Sequence, residues 1–126
     1  MAFWTDERRD AADYARLARR AGSGQVKRLL LKLSAEESEH AKRLRSMAFL
    51  MGNGDCPKSV PNEPAGCENI LRALKRRFTA EEKGAEAYAA AAAETHDPRL
   101  RSMYTELAED ERKHGNALWS LLKNQL

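Results

Sequence analysis

The sequence predicts an all-α protein, a bundle of four helices built as two antiparallel hairpins joined by a crossover linker. Three observations predict it. Alanine, leucine, glutamate, lysine and arginine dominate the 126 residues, and β-branched residues are scarce, a balance that favours helix. Apolar residues recur at alternating steps of three and four, the spacing of a helix that buries one face. Turn-forming clusters divide the chain at three places. The length suits one domain, expected over residues 1–126, large enough to bury a true core.

The first helix is expected from about Thr5 to Ala21, with Thr5 or Asp6 as its N-cap. Gly22, Ser23 and Gly24 end it. The second is expected from about Gln25 to Met51, ended by Gly52, Asn53 and Gly54. These two form the first hairpin, about 4–51. Residues 52–64 hold Pro57, Pro61 and Pro64 among further breakers and read as a linker. The third helix is expected from about Ala65 to Glu94. Asp97 then caps a fourth, which starts at Pro98 in the favoured first position and runs to about Lys123. These form the second hairpin, about 65–124.

Loop length speaks to topology. The connections inside each hairpin are short, so each helix pair is antiparallel. The linker of 13 residues reaches about 43 Å fully extended. A helix of 27 residues is about 40 Å long, so the linker just crosses the bundle lengthwise. A short up-down-up-down path stays open at this point.

Composition excludes several classes of function. The net charge is +3, and basic residues are interleaved with acidic ones. Arg8, Arg9, Arg16, Arg19 and Arg20 cluster early, and Arg72, Lys75, Arg76 and Arg77 form a second group. Both read as solvated helix faces, with no nucleic-acid motif beside them. No apolar run approaches a membrane span, and Met1 to Asp10 lacks the apolar core of a signal peptide. The expectation is a cytoplasmic protein. Cys56 and Cys67 match neither a zinc pattern nor a disulfide framework. They read as free thiols in a reducing compartment, with a bond between them left open.

The chemistry lies in the apolar seams. In the second helix the seam runs Val26, Leu29, Leu30, Leu33, then Glu37, His40 and Ala41, then Leu44, Met47 and Met51. The fourth repeats it: Leu100, Met103, Tyr104, Leu107, then Glu111 and His114, then Leu118, Leu121 and Leu122. The first helix has Phe3, Glu7, Tyr14, Leu17, Ala18 and Ala21. The third has Leu71, Leu74, Phe78, Glu81, Ala85, Tyr88 and Ala92. Four glutamates and two histidines thus face a core, at similar distances from the two tight turns.

The halves are copies. A shift of 74 residues puts Glu7 on Glu81, Tyr14 on Tyr88, Glu37 on Glu111 and His40 on His114. Overall identity between the halves is modest, yet every candidate ligand has its twin. A lone Glu-x-x-His on a helix is common by chance. Two of them, in register with the seam and each preceded by a seam glutamate, are not.

Burying four carboxylates uncompensated costs several kcal/mol each. Two divalent cations neutralise them, and neutral imidazole adds a ligand without adding charge. Glu-x-x-His puts both side chains on one face, able to grip one ion. Mixed oxygen and nitrogen donors suit iron or manganese rather than a thiolate-seeking metal. Tyr14 and Tyr88 are expected to pack beside the site. Trp4, Phe3 and Phe78 are expected in the core, and His96 in a solvated turn. Glu36, Glu39, Glu82, Glu86 and Glu109 are expected on outer faces.

These motifs resemble the rubrerythrin branch of the ferritin-like di-iron carboxylate proteins. The resemblance rests on Glu81 with Tyr88, on Asp97-Pro98, and on Leu107 through His114. In the first half it rests on Glu7 with Tyr14 and on Glu36 through Leu44. It covers about residues 4–122. It implies a ferritin-like four-helix bundle and a centre of two iron ions, with manganese as the other candidate. It implies metal ligands at Glu7, Glu37, His40, Glu81, Glu111 and His114. It also implies a redox enzyme that reduces hydrogen peroxide or O2. Full-length members carry a rubredoxin-like module with paired Cys-x-x-Cys motifs, absent here, so the electron donor would be a separate rubredoxin-like protein. A further third-helix glutamate of the family, sought one turn before the ligand, is replaced by Phe78. A homodimer is compatible with the resemblance. Two other readings stand beside this one: iron binding or oxidation for storage or transfer, and a metal-free helical interaction module.

Overall fold

The structure is a computed structural model that describes residues 2–22, 24–52 and 68–125. Four helices account for nearly all of them: α1 (Ala2–Arg20), α2 (Gly24–Leu50), α3 (Ile70–Glu94) and α4 (Pro98–Gln125). The chain divides into two compact units, Met1–Cys67 and Glu68–Leu126. Each is one hairpin. The linker beyond Gly52 and both cysteines lie outside the described residues.

In the first hairpin, α1 packs on α2. The pairing is antiparallel: Glu7 meets His40, and Ser34 Oγ donates to the Ala11 carbonyl at 2.7 Å. As one index rises, the other falls. Trp4, Ala11, Tyr14, Leu17 and Ala18 are buried on α1, and Val26, Leu30, Leu33, Ala41 and Leu44 on α2. A fully buried leucine contributes roughly 1.5–3 kcal/mol, so this seam is what holds the pair. Gly52 closes α2 with φ 76°, and its N–H donates to the Phe49 carbonyl at 3.1 Å. The left-handed conformation is open to glycine at no steric cost.

The second hairpin repeats the scheme. Glu81 meets His114, Tyr88 stacks on Tyr104 at 6.1 Å between ring centres, and Phe78 lies 5.6 Å from Trp119. Ala73, Leu74, Ala85, Tyr88 and Ala92 are buried on α3, and Met103, Leu107, Ala108, Leu118, Leu121 and Leu122 on α4. At the turn, the Thr95 N–H donates to the Ala91 carbonyl at 3.1 Å. The Asp97 carboxylate accepts from the Arg99 amide at 2.8 Å, the cap expected before Pro98.

Two helix starts differ from the sequence reading. α1 begins at Ala2, so neither Thr5 nor Asp6 is its N-cap. Trp4 is buried, and the Arg8 guanidinium lies over its ring at 5.1 Å. That i,i+4 pair forms only if the helix already includes Trp4. α3 begins at Ile70 rather than near Ala65, because Asn69 caps it by accepting the Arg72 amide at 2.8 Å. Glu68 then takes a two-pronged ion pair from Arg76, at 3.0 Å from Nε and 2.8 Å from Nη2. Among the described residues no helix is long and apolar enough to cross a membrane.

Candidate metal centre

Each hairpin brings one glutamate from its first helix to a Glu-x-x-His pair on its second. In the first hairpin these are Glu7, Glu37 and His40, and each offers one ligand atom within 4.8 Å of the others. All three are buried, Glu37 completely. His40 Nδ1 lies 3.1 Å from Glu7 Oε2 and 3.7 Å from Glu37 Oε1. Spacing explains the convergence. Residues three apart share a helix face, so Glu37 and His40 rise together beside Glu7.

The second hairpin gathers Glu81, Glu111 and His114 in the same way, again within 4.8 Å and again buried. His114 Nδ1 lies 3.6 Å from Glu81 Oε2. All six expected residues therefore fall into two triads of the same composition. Two carboxylates and one imidazole, shielded from water, are a donor set that fits a divalent metal with mixed oxygen and nitrogen preference.

The surroundings are specific. Gly84 sits in mid-α3, where glycine costs a helix about 1 kcal/mol relative to alanine. A Cβ there would lie 3.3 Å from Glu111 Oε2, so the missing side chain leaves the carboxylate its room. One turn to either side of Glu81 stand Arg77, Phe78, Gly84 and Ala85; none is a further carboxylate. Phe78, Glu82, Arg112, Gly115, Asn116 and Trp119 line an open groove of about 410 Å³ that reaches Glu111. Tyr14 and Tyr88 are buried, as expected. Phe3 and Phe78 are only half-buried, whereas Trp4 is a full core residue. His96, Glu39, Glu82, Glu86 and Glu109 face outward, with Glu36 half-buried. Asp6, next to Glu7, is pushed above the ordinary carboxylate range by desolvation, against the pull of Arg9 and with added repulsion from Glu7.

Arg77 also contradicts its sequence reading. Read as part of a solvated basic face, it is 4% exposed, and its Nη2 lies 3.7 Å from Glu81 Oε1. It stands three residues after Leu74 and four before Glu81. That phase marks an inward position as clearly as Phe78 does. The charge alone argued otherwise.

Comparison with known proteins agrees with this geometry. Residues 4–122 match the Rubrerythrin family. The chain is also similar to the uncharacterized protein YhjR of Bacillus subtilis (strain 168), 29% identical over 109 residues, which span 86% of this chain and 72% of that one.

Proposed function

The chain belongs to the rubrerythrin family, and from that premise we propose that its six buried residues hold a di-iron centre that reduces hydrogen peroxide or O2. The twinned triads carry this reading: two carboxylates and a histidine, converging within 4.8 Å in each hairpin. Glu7, Glu37 and His40 would hold one ion, and Glu81, Glu111 and His114 the other. Four carboxylates balance two divalent cations, so the loaded centre is neutral. Bound iron would supply one-electron redox chemistry that no side chain of the triads offers.

The protein's own part is to bind, orient and exclude. Leu33 and Leu107, one turn before the Glu-x-x-His pairs, are buried and keep bulk water from the donors. Gly84 leaves the Glu111 carboxylate space to take its position. The groove under Phe78 and Trp119 gives a small reactant a route to Glu111. Electrons would come from a rubredoxin-like donor; Cys56 and Cys67 of these 126 residues do not form the paired Cys-x-x-Cys motifs of such a module.

The test is anaerobic loading with Fe²⁺, elemental analysis, and stopped-flow mixing with peroxide. Two irons per chain and rapid oxidation by peroxide are expected. Two irons with no fast peroxide reaction, but rapid oxidation of added Fe²⁺ by O2, would replace this reading with iron handling. A folded chain that takes up no metal would leave an interaction module.

A further inference from the structure

The second triad carries a charge that the first does not receive from the matching place. Arg77 is buried, with Nη2 3.7 Å from Glu81 Oε1. The other oxygen of the same carboxylate, Oε2, faces His114 Nδ1 at 3.6 Å. Guanidinium and imidazole thus take opposite oxygens of one glutamate. Under the 74-residue shift the position of Arg77 falls on Phe3, an uncharged ring. A guanidinium cannot shed its proton in a protein, and burying one is tolerated only beside a counter-charge.

We infer that Arg77 is a built-in counter-cation for Glu81, one that supports the second triad without metal and competes with a metal ion for the same carboxylate. The inference rests on the metal-binding reading above. A cation approaching Glu81 meets a fixed positive charge, at a position that the 74-residue shift fills with Phe3 in the first hairpin. Arg77 therefore weakens the second triad for divalent ions and makes that triad less dependent on one for its fold. Arg77 is a positioning residue, since it acts through Glu81.

Two measurements on the full chain test this, for wild type, Arg77→Met and Arg77→Lys. The first is anaerobic titration with Co²⁺, followed by visible absorption and calorimetry. The second is thermal melting of the metal-free protein. Arg77→Met should bind the cobalt held by the second triad about tenfold tighter, from the loss of a nearby like charge, while its metal-free Tm falls. Arg77→Lys should stay near wild type in both. The opposite signs are the signature, because a purely structural role would lower both quantities together. Should Arg77→Met fail to fold, Arg77→Gln takes its place, with the same expected signs. An apolar or neutral variant that loses both affinity and stability, or changes neither, overturns the inference while leaving the metal centre standing. A wild-type chain that binds no cobalt removes the metal-binding reading, and the inference with it.

Discussion

Glu37 is 0% exposed on a helix face that also buries Val26, Leu30, Leu33, His40, Ala41 and Leu44. A carboxylate is kept in such a place only by what it binds. Glu37→Ala should leave the chain helical by circular dichroism and lose one or both metals by elemental analysis; retention of two would strike Glu37 from the ligand set. Gly84→Ala is the subtler case. The added methyl would meet Glu111 Oε2 at 3.3 Å, displacing that carboxylate by tenths of an ångström. We expect weaker metal binding at the second triad, read by titration, with the helix itself gaining up to about 1 kcal/mol. The six ligand candidates were legible in the sequence because each interrupts an apolar seam in phase. Arg77 was not, although its phase was equally plain. A charged residue is assigned to solvent by default, and only the Glu81 carboxylate beside it explains why this one is inside.

Helices were more legible than their starts. The seams place all four, since a stripe of Leu30, Leu33 and Leu44 or of Leu107, Leu118 and Leu121 has only one good burial. Their contribution is measurable: Leu30→Ala or Leu107→Ala should cost about 2–5 kcal/mol in denaturant unfolding, as both side chains are fully buried. The starts depend on single local bonds that composition does not rank. Asn69 outcompetes earlier candidates for α3, and burial of Trp4 draws α1 back past Thr5. The cap of α4 was legible, and it carries a pH dependence. The Arg99 side chain, and then its amide, hold the Asp97 carboxyl below the ordinary carboxylate range. A group depressed in the folded state stabilises above its unfolded pKa, and that contribution is lost as pH falls through the folded value. Asp97→Ala should thus lower Tm at neutral pH, and the gap to wild type should close in strong acid.

For the molecule as a whole, the repeat is the organising fact. Each hairpin has its own seam, turn and triad, and the family match over residues 4–122 gives the fold class, a ferritin-like four-helix bundle. That class was legible from two short turns and one long linker. The path of the linker lies outside the described residues. If the triads bind metal only in the folded chain, loading must stabilise it by mass action. At a free metal concentration a hundred times Kd the gain is about 2.7 kcal/mol. Calorimetric melts should show a higher Tm with Fe²⁺ or Co²⁺ that EDTA reverses; an unchanged Tm would mean that the triads hold nothing.

The two tryptophans divide between the hairpins. Trp4 is 3% exposed in the first, and Trp119 is 50% exposed at the groove of the second. The molecule therefore carries two natural fluorophores that emit at different ultraviolet wavelengths, shorter for the sheltered indole and longer for the wetted one. Trp119→Phe leaves a chain whose light comes from the first hairpin alone, and Trp4→Phe one that reports only the second. Quenching by a paramagnetic ion could then be followed hairpin by hairpin, without attaching a dye.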